Sequence, residues 1–335
     1  EKVREKLLKL VDKENSAGFS VVPMQGSGTF AVESAISSLI PKHAKILVLI
    51  NGAYGERIFG MAQKMGREVE AIRSSETAPI SAEELRQYLN ACPEFEFVVL
   101  VHCETTAGVI NPLEEVAKVV SEAGRSLVVD AMSSFGGVEI DLNQCPVDVL
   151  IASSNKCLEG VPGLGFVIAK LDLLERSKGN SASMSLDLHD QWSGLELAGQ
   201  FRFTPPTHVI LALNAALDQL ENEGGVTARN LRYRANHKLL MAGMERLGFK
   251  PVVAAKFQSP IISTFYIPQH PKFDFNEFYQ LLADQGLVIY PGKLSLTECF
   301  RVGSIGDLRC VDLEILLAAI ECVLKSMGVA LGGRE

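Results

Sequence analysis

Residues 147–169 read VDVLIASSNKCLEGVPGLGFVIA. Val147–Ala152 is an apolar run of strand length and Gly165–Ala169 is another, so the SSNK segment and its glycines fall in the connection between two buried strands. A lysine at a strand end, among small polar residues and followed by Gly160, Gly163 and Gly165, is set apart from ordinary solvated lysines. In a cleft beside other cations such an amine sheds its proton more readily and can form a Schiff base.

Working upstream, Val128-Val129-Asp130-Ala131 puts a carboxylate at the C-terminal end of a strand Leu127–Asp130, the rim on which open α/β sheets keep ligands. Burying a carboxylate is costly without a partner, and a protonated pyridine nitrogen would be one; an Asp capping the following turn is the plainer alternative. Further upstream, Gly26-Ser27-Gly28-Thr29 feeds a helix Phe30–Leu39, whose N-terminus offers N–H groups and a positive dipole end to a phosphate. With Ala31 the turn fits G-x-G-x-x-A, yet the dinucleotide fingerprint also wants an acid about 20 positions on. There the chain reads Ile46–Ile50 and then Asn51-Gly52, so the phosphate reading survives and the NAD reading weakens. Phosphate turn, strand-end Asp and strand-end Lys, in that order, are what pyridoxal 5'-phosphate needs in an open α/β domain: one group for the phosphate, one for the pyridine nitrogen and one for the aldehyde.

The surrounding chain supports that architecture. Further strands are expected at Val69–Ile72 and Phe97–Val101. Between the strands run amphipathic helices, with Val32, Ala35, Ile36 and Leu39 on one face, then Ile58, Met61, Ala62 and Met65, then Val116, Val119, Val120 and Ala123. Alternating β and α implies a mostly parallel sheet covered on both faces. Beyond about residue 225 the pattern changes to helices around Ala228–Leu247 and Asp312–Leu324 flanking strands Ile261–Ile267, Leu287–Tyr290 and Phe300–Val302. The expectation is an α/β protein with a large domain over 1–230 and a smaller C-terminal α+β domain over 231–335.

Composition narrows the function classes. The chain has 335 residues, 47 % of them hydrophobic and 21 % charged, enough to build a sizeable core and too few charges for a disordered chain. The net charge of −8 argues against phosphate-backbone binding to nucleic acid. No apolar run approaches the roughly 20 residues of a membrane span. Seven cysteines without a CxxC pair suggest a reducing, cytoplasmic setting. The start, EKVREKLLKLVDKEN, is charged and does not read as a signal peptide. It begins with Glu1 rather than Met, so further residues are expected before it.

The chain resembles the class V, fold-type I pyridoxal-phosphate aminotransferases, and within them those acting on 2-aminoethylphosphonate and pyruvate. The resemblance is carried by QGSGTFAVE (25–33), NGAYGERI (51–58), HCETTAGVINP (102–112), VVDAMSSFGG (128–137), the SSNKCLEGVPGLGFVIA segment (153–169), SLDLHDQW (185–192), FRFTPPTH (201–208) and CFRVGSIG (299–306). It implies that Lys156 and Asp130 are catalytic, Lys156 carrying the cofactor and shuttling a proton and Asp130 pairing with the pyridine nitrogen. It also implies that Gly28 and Thr29 hold the phosphate, Tyr54 stacks on the ring, Thr105 bonds the ring's phenolic oxygen, Met132 packs under the ring and Asn155 reaches the phosphate. Thr204 would reach the phosphate of a neighbouring subunit's cofactor in a homodimer with shared active sites, and Arg301 would clamp the substrate carboxylate or phosphonate. Alanine–glyoxylate or serine–pyruvate transamination is the alternative within the class, and a non-catalytic nucleotide- or cofactor-binding regulator the alternative outside it. An N-terminal segment with a TPGP-like turn, usual in the family, does not occur here and is expected to precede Glu1. Three other features read as bystanders: no metal site is expected from Asp187, His189 and Asp190, Cys157 reads as a small buried neighbour, and Arg229, Arg232 and Arg234 read as a solvated helix face.

Overall fold

The computed structural model describes residues 1–12, 14, 18–292 and 294–330. A seven-stranded sheet forms its centre, from β1 (Phe19–Gln25), β2 (Lys45–Ile50), β3 (Val69–Arg73), β4 (Phe95–Val101), β7 (Ser126–Asp130), β8 (Val149–Ser153) and β9 (Leu164–Lys170), with β5 (Cys103–Glu104) and β6 (Val109–Ile110) as a small ladder beside it. The strand order is β1-β9-β8-β7-β4-β2-β3. The pairs β2–β3, β2–β4, β4–β7 and β7–β8 are parallel, while β9 runs antiparallel to both β8 and β1. Six strands therefore end at one rim, and β9 alone starts there. The strand β1 was not delimited in the sequence, because Pro23 interrupts its apolar run; at the sheet edge a missing N–H costs no ladder bond.

The predicted helical faces pack as expected. In the helix Gly28–Leu39, Val32, Ala35, Ile36 and Leu39 are all buried, and in Leu113–Glu122 so are Val116, Val119 and Val120. Two apolar clusters cover the sheet's two faces, one including Leu49, Leu100, Val129 and Phe166, the other Val48, Val99, Val128 and Ile151. Alternate strand residues divide between them because successive side chains leave a strand on opposite faces.

A second sheet holds β10 (Ile262–Tyr266), β11 (Tyr290–Pro291) and β12 (Cys299–Gly303), in the order β10-β12-β11. Its core is rich in rings: Phe249, Phe265, Phe278 and Phe300 are buried together, against Leu240, Leu313 and Ile320. Phe300 anchors β12 there, and Arg301, next along the strand, leaves on the opposite face. The strand expected at Leu287–Tyr290 is shorter and later. The Leu287 N–H turns back to the Leu282 carbonyl to finish the helix Phe275–Ala283, so pairing begins only where Tyr290 meets Arg301. The long helix Gly225–Arg246 crosses residue 230 without a break.

Candidate active site

One cavity at the strand-end rim is lined by Asp130 and Lys156 together with Thr29, Tyr54, Arg57, Met132 and Ser133. Asp130 ends β7 and is buried. One of its oxygens accepts the Met132 N–H at 2.9 Å, which fixes the turn beneath it. Burial pushes the Asp130 carboxyl up to about 6, and the hydrogen bond from Met132 only partly opposes this. Lys156 sits three residues beyond β8, exposed at the cavity wall. Its loop is tight: the Gly160 N–H closes onto the Ser154 carbonyl at 2.9 Å, and the Ser154 hydroxyl donates to the Val161 carbonyl at 2.6 Å.

The third wall is the start of the helix Gly28–Leu39. Its N-cap, Ser27, makes no side-chain capping bond, and the first turn contains no acid, so the dipole end is open to an anion. Gly28 gives room to the Met132 side chain: a Cβ there would lie 2.1 Å from its sulfur, and the methionine would have to move. The Gly26 N–H donates to the Gly163 carbonyl at 3.0 Å, which joins this turn to the lysine loop.

Tyr54 is half-buried in the first turn of the helix Ala53–Lys64. Its N–H and that of Gly55 donate to the buried Glu104 carboxylate at 3.2 and 3.3 Å. Glu104 also accepts the Thr106 hydroxyl at 2.7 Å; burial raises its carboxyl, and these hydrogen bonds pull it back. Arg301 is buried on β12 and donates to the Thr105 carbonyl at 2.9 Å and the Pro291 carbonyl at 3.1 Å. Burial lowers its pKa.

A protein-family description, aminotransferase class-V, matches residues 1–302. The chain belongs to the class-V aminotransferase family. It is 48 % identical over 327 residues to the 2-aminoethylphosphonate–pyruvate transaminase of Pseudomonas aeruginosa strain PAO1, covering 98 % of this chain and 88 % of that one. The 2-aminoethylphosphonate–pyruvate transaminase 2 of Burkholderia lata is 48 % identical over 328 residues, covering 98 % and 87 %. Among solved structures, the pyridoxamine–pyruvate aminotransferase of Mesorhizobium loti superposes with a TM-score of 0.89 at 26 % identity, covering 99 % of this chain and 84 % of that one.

Against that family background, the remaining expected residues divide. Thr29, Tyr54, Asp130, Met132 and Lys156 share the cavity, and Gly28 abuts it through Met132. Thr105 is joined to Arg301 by its carbonyl; its side chain is not in the cavity lining. Asn155 is exposed beside Lys156 and accepts the Ser153 hydroxyl at 3.0 Å. Thr204 is exposed in the loop ahead of the helix Thr207–Glu223, outside this chain's own cavity.

Arg229 and Arg232 require correction. They are not on a solvated face: Arg229 is 1 % exposed, and both arginines pair with Glu159 and Glu223, leaving only Arg234 of the three toward solvent. Their carboxylate partners lie 73 and 9 residues from Arg232 in sequence, and distance of the first kind leaves no local pattern to read. Asp187 caps the helix Leu188–Ala198 by accepting the Asp190 N–H, and Arg202 lies 3.2 Å from Asp190, so a cation already occupies that acidic cluster. Cys157 is fully buried, burial raises its thiol pKa, and it donates to the Ser133 carbonyl at 3.2 Å.

Sequence reasoning missed Arg57, Ser133 and Glu104. Arg57 lies one helical turn beyond Tyr54, with its guanidinium 5.0 Å from that ring, and the i, i+3 spacing could have revealed it. Ser133 follows directly on Met132. Glu104 carried only the weak signal of an acid just after a buried strand.

Proposed function

We propose that this chain is a pyridoxal 5'-phosphate aminotransferase that moves the amino group of 2-aminoethylphosphonate to pyruvate, giving phosphonoacetaldehyde and L-alanine. The observation that carries this reading is one cavity bearing an amine, Lys156, and a buried carboxyl, Asp130, in a chain 48 % identical to transaminases of that name. The residues fit the cofactor by their chemistry. Burial raises the Asp130 carboxyl to about 6 despite Arg57, so a further cation beside it would be stabilising; the helix N-terminus is uncapped, and Gly28 lets the backbone close on Met132. When bound, the cofactor supplies an aldehyde for amines and a ring able to withdraw electrons.

The chain's own groups then have distinct tasks. Asp130 holds a proton on the ring nitrogen, which stabilises both charges in a site that burial makes expensive for either alone. Lys156 would hold the cofactor through its amine, and the same amine, when free, would move a proton at the substrate's amine-bearing carbon. Gly28 and Thr29 would bind the phosphate with backbone N–H groups at the helix N-terminus, and Asn155 would add a contact from the lysine loop. Tyr54 and Met132, both in the cavity wall, would pack against the ring, and Thr105, outside that wall in the cofactor-free chain, would turn its hydroxyl toward the ring's oxygen. Arg301 offers a planar fork to the pyruvate carboxylate in one half-reaction and to the phosphonate in the other.

The division into a cofactor-binding domain over 1–230 and a smaller one over 231–335 that carries Arg301 is supported by the large apolar clusters on either side, which two small clusters around Tyr233 and Val253 bridge. The enzyme works as a homodimer in which Thr204 reaches the neighbour's cofactor. Phe30, Val161, Phe203 and Leu211 are exposed apolar residues close in sequence to the phosphate turn, the lysine loop and Thr204, as a buried subunit contact would require. Its setting is cytoplasmic, in keeping with seven cysteines free of disulfides; no helix among the described residues is long and apolar enough to cross a membrane.

The test is the purified protein, loaded with cofactor, assayed with 2-aminoethylphosphonate and pyruvate against alanine and glyoxylate. The first pair should turn over faster. A preference for the second moves the chain to the alanine–glyoxylate reading, and absence of a borohydride-reducible link at Lys156 removes the aminotransferase reading altogether.

A further inference from the structure

Behind Lys156 lies a half-buried ion cluster, built around the buried Arg229, that the reaction above does not use. Arg229 Nη2 is 2.8 Å from Glu223 and 3.5 Å from Glu159; Arg232 places Nη2 2.9 Å from Glu159 and Nε 2.6 Å from Glu223. The Tyr233 hydroxyl donates to Glu159 at 2.7 Å. Burial alone would raise the Glu223 carboxyl, but the hydrogen bonds from Arg232 and Arg229 outweigh it and hold the group ionised. Two charges of each sign are thus matched and hydrogen-bonded, the condition under which a buried network becomes rigid.

This cluster grips the peptide of the lysine itself. The Glu159 N–H donates to the Lys156 carbonyl at 2.9 Å, and Arg229 Nη1 donates to the Cys157 carbonyl at 2.8 Å. Glu159 has a φ of 61°, alone among the described non-glycine residues in having a positive value. Such a backbone persists only where its surroundings hold it, and glycine would adopt it freely. What glutamate adds at this position is a carboxylate for two arginines. On its far side the cluster holds another segment: Arg232 Nη1 donates to the Gly306 carbonyl at 2.6 Å and the Leu308 carbonyl at 3.2 Å, and Asn236 donates to Leu308 at 2.9 Å. That segment leads directly out of β12, the strand of Arg301.

We propose that Glu159, Arg229 and Arg232 are positioning residues that keep the Lys156 amine in register with Arg301, so that the lysine meets the substrate carbon at the geometry proton transfer needs. The proposal rests on reading Lys156 as the cofactor-bearing residue. It is tested on the cofactor-loaded enzyme with Glu159→Gln, Glu159→Gly, Arg232→Met and Arg232→Lys. Three quantities are read for each: turnover per loaded site, the isotope effect with donor deuterated at its amine-bearing carbon, and the visible circular dichroism of the bound cofactor. Misplacing a reacting group by about 1 Å costs up to about 100-fold in rate. Turnover per loaded site should therefore fall by about 10- to 100-fold in both Glu159 variants and in Arg232→Met. The isotope effect should rise, the dichroism should change, and Arg232→Lys should recover part of each. Glu159→Gly keeps the test open if Glu159→Gln folds poorly, because it relaxes the backbone while removing the carboxylate. A lower melting temperature with unchanged turnover per loaded site and unchanged isotope effect would overturn the proposal, leaving the cluster a support of the fold. A wild-type enzyme without a borohydride-reducible link at Lys156 would instead overturn the reading beneath it.

Discussion

Two acidic regions flank Lys156, one half-buried and one buried, and they are solved in opposite ways. Glu159 and Glu223 face Arg229 and Arg232, and each charge has a partner from the chain itself. Asp130 is buried, yet its one hydrogen bond from Met132 leaves the carboxyl pushed up to about 6. The first cluster is completed within the chain, whereas at Asp130 the pull of Arg57 does not offset burial, so a further positive charge there would stabilise the carboxylate.

The largest expected effect separates the two regions by chemistry alone. Lys156→Ala should abolish turnover while the melting temperature of the cofactor-free protein stays within about 2 °C, since an exposed side chain away from the core contributes little stability. Any substantial turnover in that variant breaks the comparison.

Next comes the self-sufficient region. Arg229→Met leaves two carboxylates facing one cation where a buried arginine stood, and breaking a buried pair costs about 3–5 kcal/mol. Denaturant unfolding of the cofactor-free protein should show the loss; an unchanged midpoint would mean the cluster is wetter than its geometry indicates.

Asp130 should behave in the reverse sense. Its carboxyl is raised from 3.8 to about 6 by burial, so the stabilising protonated form is fully present below about pH 4 and is lost as pH rises through 6. Above that, ionisation costs the cofactor-free protein about 3 kcal/mol, taking about 1.4 kcal/mol for each pKa unit. Asp130→Asn should therefore stabilise the cofactor-free protein at pH 8 and make no difference near pH 4, while cutting turnover by orders of magnitude. Equal stability of the two proteins across this range would show that Asp130 is already satisfied.

The smallest effect sharpens the comparison at its edge. Arg301→Lys keeps the charge and loses the planar fork, so the KM for pyruvate should rise about 10-fold, or about 1.4 kcal/mol, with kcat little changed. A fall confined to kcat would place Arg301 in orientation rather than binding.

Much of this was legible before any coordinates, and for local reasons. The strands around Val48, Val99 and Val129 are short, fully buried and apolar, and a helix face such as Val32, Ala35, Ile36 and Leu39 writes its period directly into the chain. Asp130 and Lys156 stood out because each interrupts an apolar pattern at a strand end. What escaped were arrangements with no local trace. Arg229 and Arg232 look like charges on a polar helix until Glu159, far away in sequence, is brought to them. Glu104 looks like a loop acid until Tyr54 and Gly55 turn their N–H groups onto it. The strand at Leu287–Tyr290 shrank because a helix ending claimed its first residue.

The reversed strand β9 has a consequence for how the protein tolerates change. Gln25 pairs with Leu164, so the turn after β1 and the loop before β9 begin at adjacent rungs of one ladder. The gap between the Gly26–Gly28 turn and the Lys156 loop is therefore ruled by strand spacing, a length that side-chain drift elsewhere cannot stretch. A single-residue insertion within either strand would slip every rung and exchange inside for outside, whereas one in the Lys156 loop would move only the amine. Lineages descending from this scaffold are thus free to retune the chemistry by loop length, while the two strands hold the ruler.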